Sequence, residues 1–103
     1  MAKVKFDGVV EAVRYRPNGE IEWVRAYERR GAIFSDYLLL DRNTLLERMR
    51  SGKRFVTGKR TPYFGSMFET SFPLQVVKDG GKDIILSGET NASHDRLEGV
   101  PVV

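Results

Sequence analysis

Tyr15-Arg16-Pro17-Asn18-Gly19-Glu20-Ile21 is the stretch whose reading decides the fold. Proline presets φ early in a turn, and Asn-Gly tolerates positive φ. A loop of Pro17 to Gly19 makes Arg16 and Glu20 neighbours. Counting outward, Tyr15 faces Ile21, Val13 faces Trp23, Glu11 faces Arg25 and Val9 faces Tyr27. On the opposite face Arg14 meets Glu22, Ala12 meets Val24 and Val10 meets Ala26. Opposite charges and apolar side chains thus match in a single register, each pair contributing roughly 0.2–1 kcal/mol. A slip of one residue would send every side chain to the wrong face. Val4 to Arg16 and Ile21 to Arg30 are therefore read as a β-hairpin, with Gly8 marking a bulge or bend.

Gly31 punctuates the next turn, and Ala32 to Leu40 reads as a third strand. Its unbroken Leu38-Leu39-Leu40 end predicts burial on both faces. Asp41 is an N-cap, and Leu45, Leu46 and Met49 form a one-sided apolar stripe, so the chain is helical over 42–50. Gly52 is the residue that stops it. Arg54 to Arg60, Ser66 to Lys78 and Lys82 to Ser87 follow as strands, the last two joined at Asp79-Gly80-Gly81. Pro73 marks a break or an edge position in the fifth strand.

The expected fold is mainly β, with one short helix between strands 3 and 4. It is either a small curled antiparallel sheet or an OB-like or SH3-like barrel of about six strands. One globular domain covers 1–87. From Gly88 onward the chain is rich in Gly, Asn, Ser, Asp and Glu, and 88–103 reads as a flexible tail.

The charge is unevenly placed. Residues 1–60 hold fourteen Lys or Arg against eight Asp or Glu, whereas 61–103 hold three against six. Arg42 to Arg60 alone has seven basic residues and a single acid, Glu47. Within it the triplet Gly-Lys-Arg occurs twice, at 52–54 and 58–60. A P-loop needs four residues between its glycines and then Lys-Ser or Lys-Thr, opening a helix. Here five residues intervene, Arg60 stands at the hydroxyl position, and a strand follows the helix. Nucleotide hydrolysis is thereby set aside.

A phosphate-binding surface fits the same residues better. Lys53, Arg54, Lys59 and Arg60 would supply charge, with Arg29, Arg30, Arg48 and Arg50 as outer contacts. Tyr63 and Phe64, on the loop that follows, would stack bases. The competing structural account gives these cations to edge-strand protection and helix-end electrostatics, and Phe64 to the core. Trp23, beside Val13, is expected in the core.

Other chemistry finds little support. The lone histidine, His94, lies in the expected tail, and there is no cysteine, so neither a nucleophile–base pair nor a His/Cys metal site can be assembled. Asp7, Glu11, Asp36, Asp41 and Glu69 show no spacing that would converge them. No catalytic residue, metal or cofactor is expected. No apolar run reaches the ~20 residues of a membrane span. No secretory leader is evident at Met1 to Lys5, and the cytoplasm is the expected compartment. The functional expectation is a small basic β module that binds nucleic acid. The alternative is a protein–protein interaction module, a homodimer or a small subunit of a larger assembly, without catalytic activity.

Overall fold

The computed structural model describes residues 6–31, 33–35, 37–60, 68–87, 94–98 and 100–103. Seven strands and one helix run in the order β1 (Gly8–Tyr15), β2 (Ile21–Arg30), β3 (Ile33–Phe34), β4 (Leu38–Asp41), α1 (Arg42–Arg50), β5 (Phe55–Arg60), β6 (Phe68–Asp79) and β7 (Lys82–Ser87). They form one mainly β sheet in the order β3-β2-β1-β5-β6-β7, with β4 sharing the outer edge of β2 with β3.

The hairpin turn forms as its residues dictate. The Gly19 amide donates to the Arg16 carbonyl and the Arg16 amide to the Glu20 carbonyl, with Gly19 at φ 90°. Both ends of the predicted register are present: Tyr15 pairs with Ile21, Val10 with Ala26 and Val9 with Tyr27. The middle differs. Two irregularities, one on each strand, leave Glu11 and Glu22 without direct partners and shift the residues between them by one. Val13 therefore faces Val24, Ala12 faces Arg25, and Trp23 faces Arg14. Trp23 is only partly buried, and the core position expected for it belongs to Val24. The opposite bulges cancel, so the strands re-enter register beyond them. The charged pairs survive because long side chains reach diagonally: Arg14 Nε lies 3.4 Å from Glu22 and Arg25 Nε 3.1 Å from Glu11.

Helix α1 follows its sequence signals. The Thr44 amide donates to the Asp41 carboxylate at 2.8 Å. At the other end Gly52 donates to the Met49 carbonyl and Lys53 to the Arg48 carbonyl, which closes a Schellman motif with Gly52 at φ 99°. Leu45 and Leu46 enter the core beside Val10, Val13, Ile21, Val24, Phe55, Leu74 and Ile85, and Met49 packs against its margin.

The fold is mainly β with one short helix, as expected, and compatible with the small curled sheet; only its strands are mixed and not all antiparallel, and it is not closed into an OB-like or SH3-like barrel. β1 and β5 run parallel, Gly8 beside Phe55 and Val10 beside Thr57, because α1 carries the chain back to the end where β1 began. Among the described residues no strand ladder joins β7 to β3 or β4. The predicted third strand is two pieces, β3 and β4, and its leucines alternate: Leu40 is buried while Leu39 is exposed. Leu39 lies on an edge strand whose outward face nothing described covers.

Within the segment read as a tail, the described residues after 93 contact the sheet. Arg96 exchanges hydrogen bonds with β7 through the Ser87 amide and the Ile85 carbonyl. Val13 donates to the Pro101 carbonyl and accepts from the Val103 amide. β1 thus has β5 beside its first half and residues 101–103 beside its second. Leu97 is part of the core. Burial of Leu97 and satisfaction of strand-edge amides outweigh the polar composition that suggested a tail.

Two glycines are demanded by close approach. A Cβ on Gly8 would stand 2.3 Å from the Phe55 ring, and one on Gly58 would stand 2.3 Å from the Glu69 carbonyl oxygen. The two Gly-Lys-Arg triplets therefore have unrelated structural causes: Gly52 ends a helix, and Gly58 lets β6 approach.

Candidate nucleic-acid interface

Three strand ends meet around Asp7. The Asp7 amide donates to the Arg54 carbonyl at 2.6 Å, the Asp7 carbonyl accepts from the Arg29 amide at 2.7 Å, and the Asp7 carboxylate accepts from the Arg54 amide at 2.9 Å. Arg29 on β2 and Arg54 before β5 thereby flank β1, about 10 Å apart at two strand spacings. Arg30 and Lys53 are their chain neighbours. All four are exposed, and Arg29 Nε donates to the Gly31 carbonyl. Lys53, Arg54, Arg29 and Arg30 have no carboxylate partner among the described residues.

The other predicted cations are differently placed. Arg48 donates through Nε to Glu28 at 2.9 Å, and Arg50 forms an ion pair with Asp83. Their charges are offset, and both also complement the negative end of α1. Lys59 lies toward the far end of β5, 4.0 Å from Glu69. Arg60 ends β5; its side chain, like Tyr63 and Phe64, lies outside the described residues. The structure thus brings Arg29, Arg30, Lys53 and Arg54 together and separates them from Lys59 along the strand.

Beside Lys53 and Arg54 opens a groove of about 530 Å³ between the last turn of α1, β5 and the middle of β6. Met49, Val56, Leu74 and Val76 line it, and Arg50, Lys53 and Arg54 contribute the charge. No sequence pattern points to it, because its walls come from three separate elements, α1, β5 and β6.

A second polar cluster was missed entirely. Asp95, 2% exposed, accepts from the Ile21 amide at 2.8 Å and the Ile85 amide at 2.9 Å. Arg42, the first residue of α1, donates to the same carboxylate through Nε at 2.7 Å and to the Asp83 carbonyl. Burial pushes the Asp95 carboxyl up, but the Arg42 guanidinium and the two amides outweigh it and hold the carboxyl below its usual range. The same contact raises Arg42. Tyr15 accepts from the Leu97 amide at 2.8 Å, and burial raises its phenol. Every lone pair direction at Asp95 is spoken for by strand amides and a fixed cation, which is the arrangement of a structural clasp rather than of an acid or base poised for substrate.

The remaining carboxylates do not converge. Asp41 caps α1, where the Thr44 amide lowers its carboxyl. Glu11 holds Arg25 and accepts from the Tyr27 hydroxyl. Asp36 lies outside the described residues. No group of three His, Cys, Asp or Glu suited to a metal ion occurs among the described residues. No described helix is long and apolar enough to cross a membrane. Comparison with protein families, with curated proteins and with solved structures found no match.

Proposed function

We propose that the chain is a small non-catalytic module that binds nucleic acid through its phosphates. One observation carries the reading: Arg29, Arg30, Lys53 and Arg54 gather exposed at one end of the sheet, and the carboxylates nearest them are engaged. Asp7 accepts from the Arg54 amide and Glu28 from Arg48. A local excess of positive charge attracts a polyanion. Arg suits phosphate forks especially well. The reading does not need Lys59 or Arg60, which belong to the far end of β5.

Fluorescence polarisation with mixed-sequence oligonucleotides tests it. Four neutralised phosphates on a single strand give a slope of log K against log salt near about −3. The double variant Lys53→Ala, Arg54→Ala cuts that slope about in half. Absence of binding at tens of micromolar in low salt, or binding indifferent to salt, refutes the reading.

A second reading, protein association, is favoured by Tyr37 and Leu39, which are 58% and 59% exposed at and beside edge strand β4. Open strand edges pair with other chains. Light scattering that shows a concentration-dependent dimer, lost in Leu39→Lys, supports this reading; a monomer at every concentration removes it.

A further inference from the structure

The groove beside the cations bears on which form of nucleic acid fits. This inference rests on the phosphate-binding reading above. The groove's walls are mainly apolar: Met49 and Val76 pack on the rim of the core, Leu74 is buried, Val56 is half-buried, and Phe55 and Gln75 also line it. Lys53 and Arg54 line the same groove. An occupant must therefore carry negative charge next to a flat or apolar body. Arg50 is held by Asp83, so the unpaired charge in the groove is that of Lys53 and Arg54. At about 530 Å³ the space lies within the range of small-ligand sites and exceeds what a lone phosphate needs.

We propose that the groove takes one unstacked base of a single strand whose adjoining phosphates lie on Lys53 and Arg54. A base in a duplex is stacked and paired, and reaching the groove would require its extrusion. The module accordingly prefers single strands to duplex.

The experiment compares three ligands of equal length with the intact chain: a single-stranded oligonucleotide, its abasic counterpart of equal charge, and the duplex, which carries about twice the phosphate charge. The expected result is single-strand binding roughly tenfold tighter than abasic, the scale of burying about 50 Å² of apolar surface. The salt slopes of those two ligands should be equal. Duplex should bind more weakly than the single strand at every salt concentration. In methyl NMR spectra the single strand should shift Met49, Val56, Leu74 and Val76 and the abasic strand should leave them in place. Equal affinity for abasic and base-bearing strands, or duplex binding as tight as single strand, overturns the groove inference while the phosphate reading stands. Loss of salt-dependent binding to all three ligands overturns both.

Discussion

Replacing Asp95 by alanine should be among the most damaging single changes in this molecule. The carboxylate touches three separate elements: the first residue of β2 through the Ile21 amide, β7 through the Ile85 amide, and α1 through Arg42. Truncation orphans two amides, each costing about 1–3 kcal/mol if it finds no water. It also strands Arg42 with the Asp83 carbonyl as its remaining acceptor. Removing one partner of a buried ion pair costs about 3–5 kcal/mol. Arg42 keeps some solvent, its side chain being 17% exposed, which places the ion-pair loss at the lower end; that loss alone, with both amides finding water, is about 3 kcal/mol. For a chain of this size that is a fall in Tm of about 15 °C. Thermal unfolding followed by circular dichroism, with urea unfolding alongside, measures it. The urea midpoint should fall with little change in slope. A Tm loss under about 4 °C, equivalent to about 1 kcal/mol, would show that the clasp does not hold the elements together. The pH dependence supplies a second reading of the same contact. The folded carboxyl is held below its ordinary range, so its stabilisation is complete above the unfolded value of about 3.9 and vanishes as pH falls through the folded value. The wild type should therefore lose its advantage over Asp95→Asn as the solution is acidified below about pH 4.

Gly58→Ala should destabilise by about 1–3 kcal/mol, because its Cβ meets a backbone oxygen that cannot swing aside; chemical denaturation reads the loss. Gly52→Ala should cost only about 1 kcal/mol, since φ is positive there but the space around it is open, and the two denaturation curves together separate crowding from backbone strain. Removing residues 94–103 should abolish cooperative unfolding and hydrogen-exchange protection at the Ile21 and Ile85 amides; retained protection would mean the sheet closes without them. Arg48→Ala should weaken oligonucleotide binding, because it leaves the Glu28 carboxylate uncompensated beside Arg29, whereas Arg48→Ala combined with Glu28→Gln should leave affinity nearly unchanged; polarisation titration of both variants reads this directly.

Local signals were legible in the sequence. The Asn-Gly turn, the Asp41 cap and the Gly52 stop each act within a few residues, and the helix and the hairpin ends lie where those residues place them. The hairpin's middle was not legible. Arg25 and Glu11 meet in either register, so charge matching did not reveal the paired bulges. The parallel contact of β1 with β5 follows from the path of α1, which no pattern within either strand records. Polar composition disguised the segment around Asp95 and Leu97. The available signal was the apolar Leu97 and Val100 to Val103, together with a carboxylate in want of Arg42. At the candidate interface the sequence singled out the basic residues, but which of them carry uncompensated charge depended on Glu28 and Asp83, contributed by other strands.

The divided neighbours of β1 have a consequence for the order in which the molecule assembles. Its hairpin with β2 is local and can form within microseconds. The contacts that complete it bind Val13 to Pro101 and Val103, Tyr15 to Leu97 and Ile21 to Asp95, separated by most of the chain. Such distant closures carry their entropic cost before they return any stabilisation, and they slow folding. The second half of β1 therefore waits, its edge amides bare, until residues 94–103 have been synthesised and have arrived. During that interval an early hairpin offers a free strand edge to any neighbouring chain, so the molecule is most vulnerable just before residues 94–103 dock.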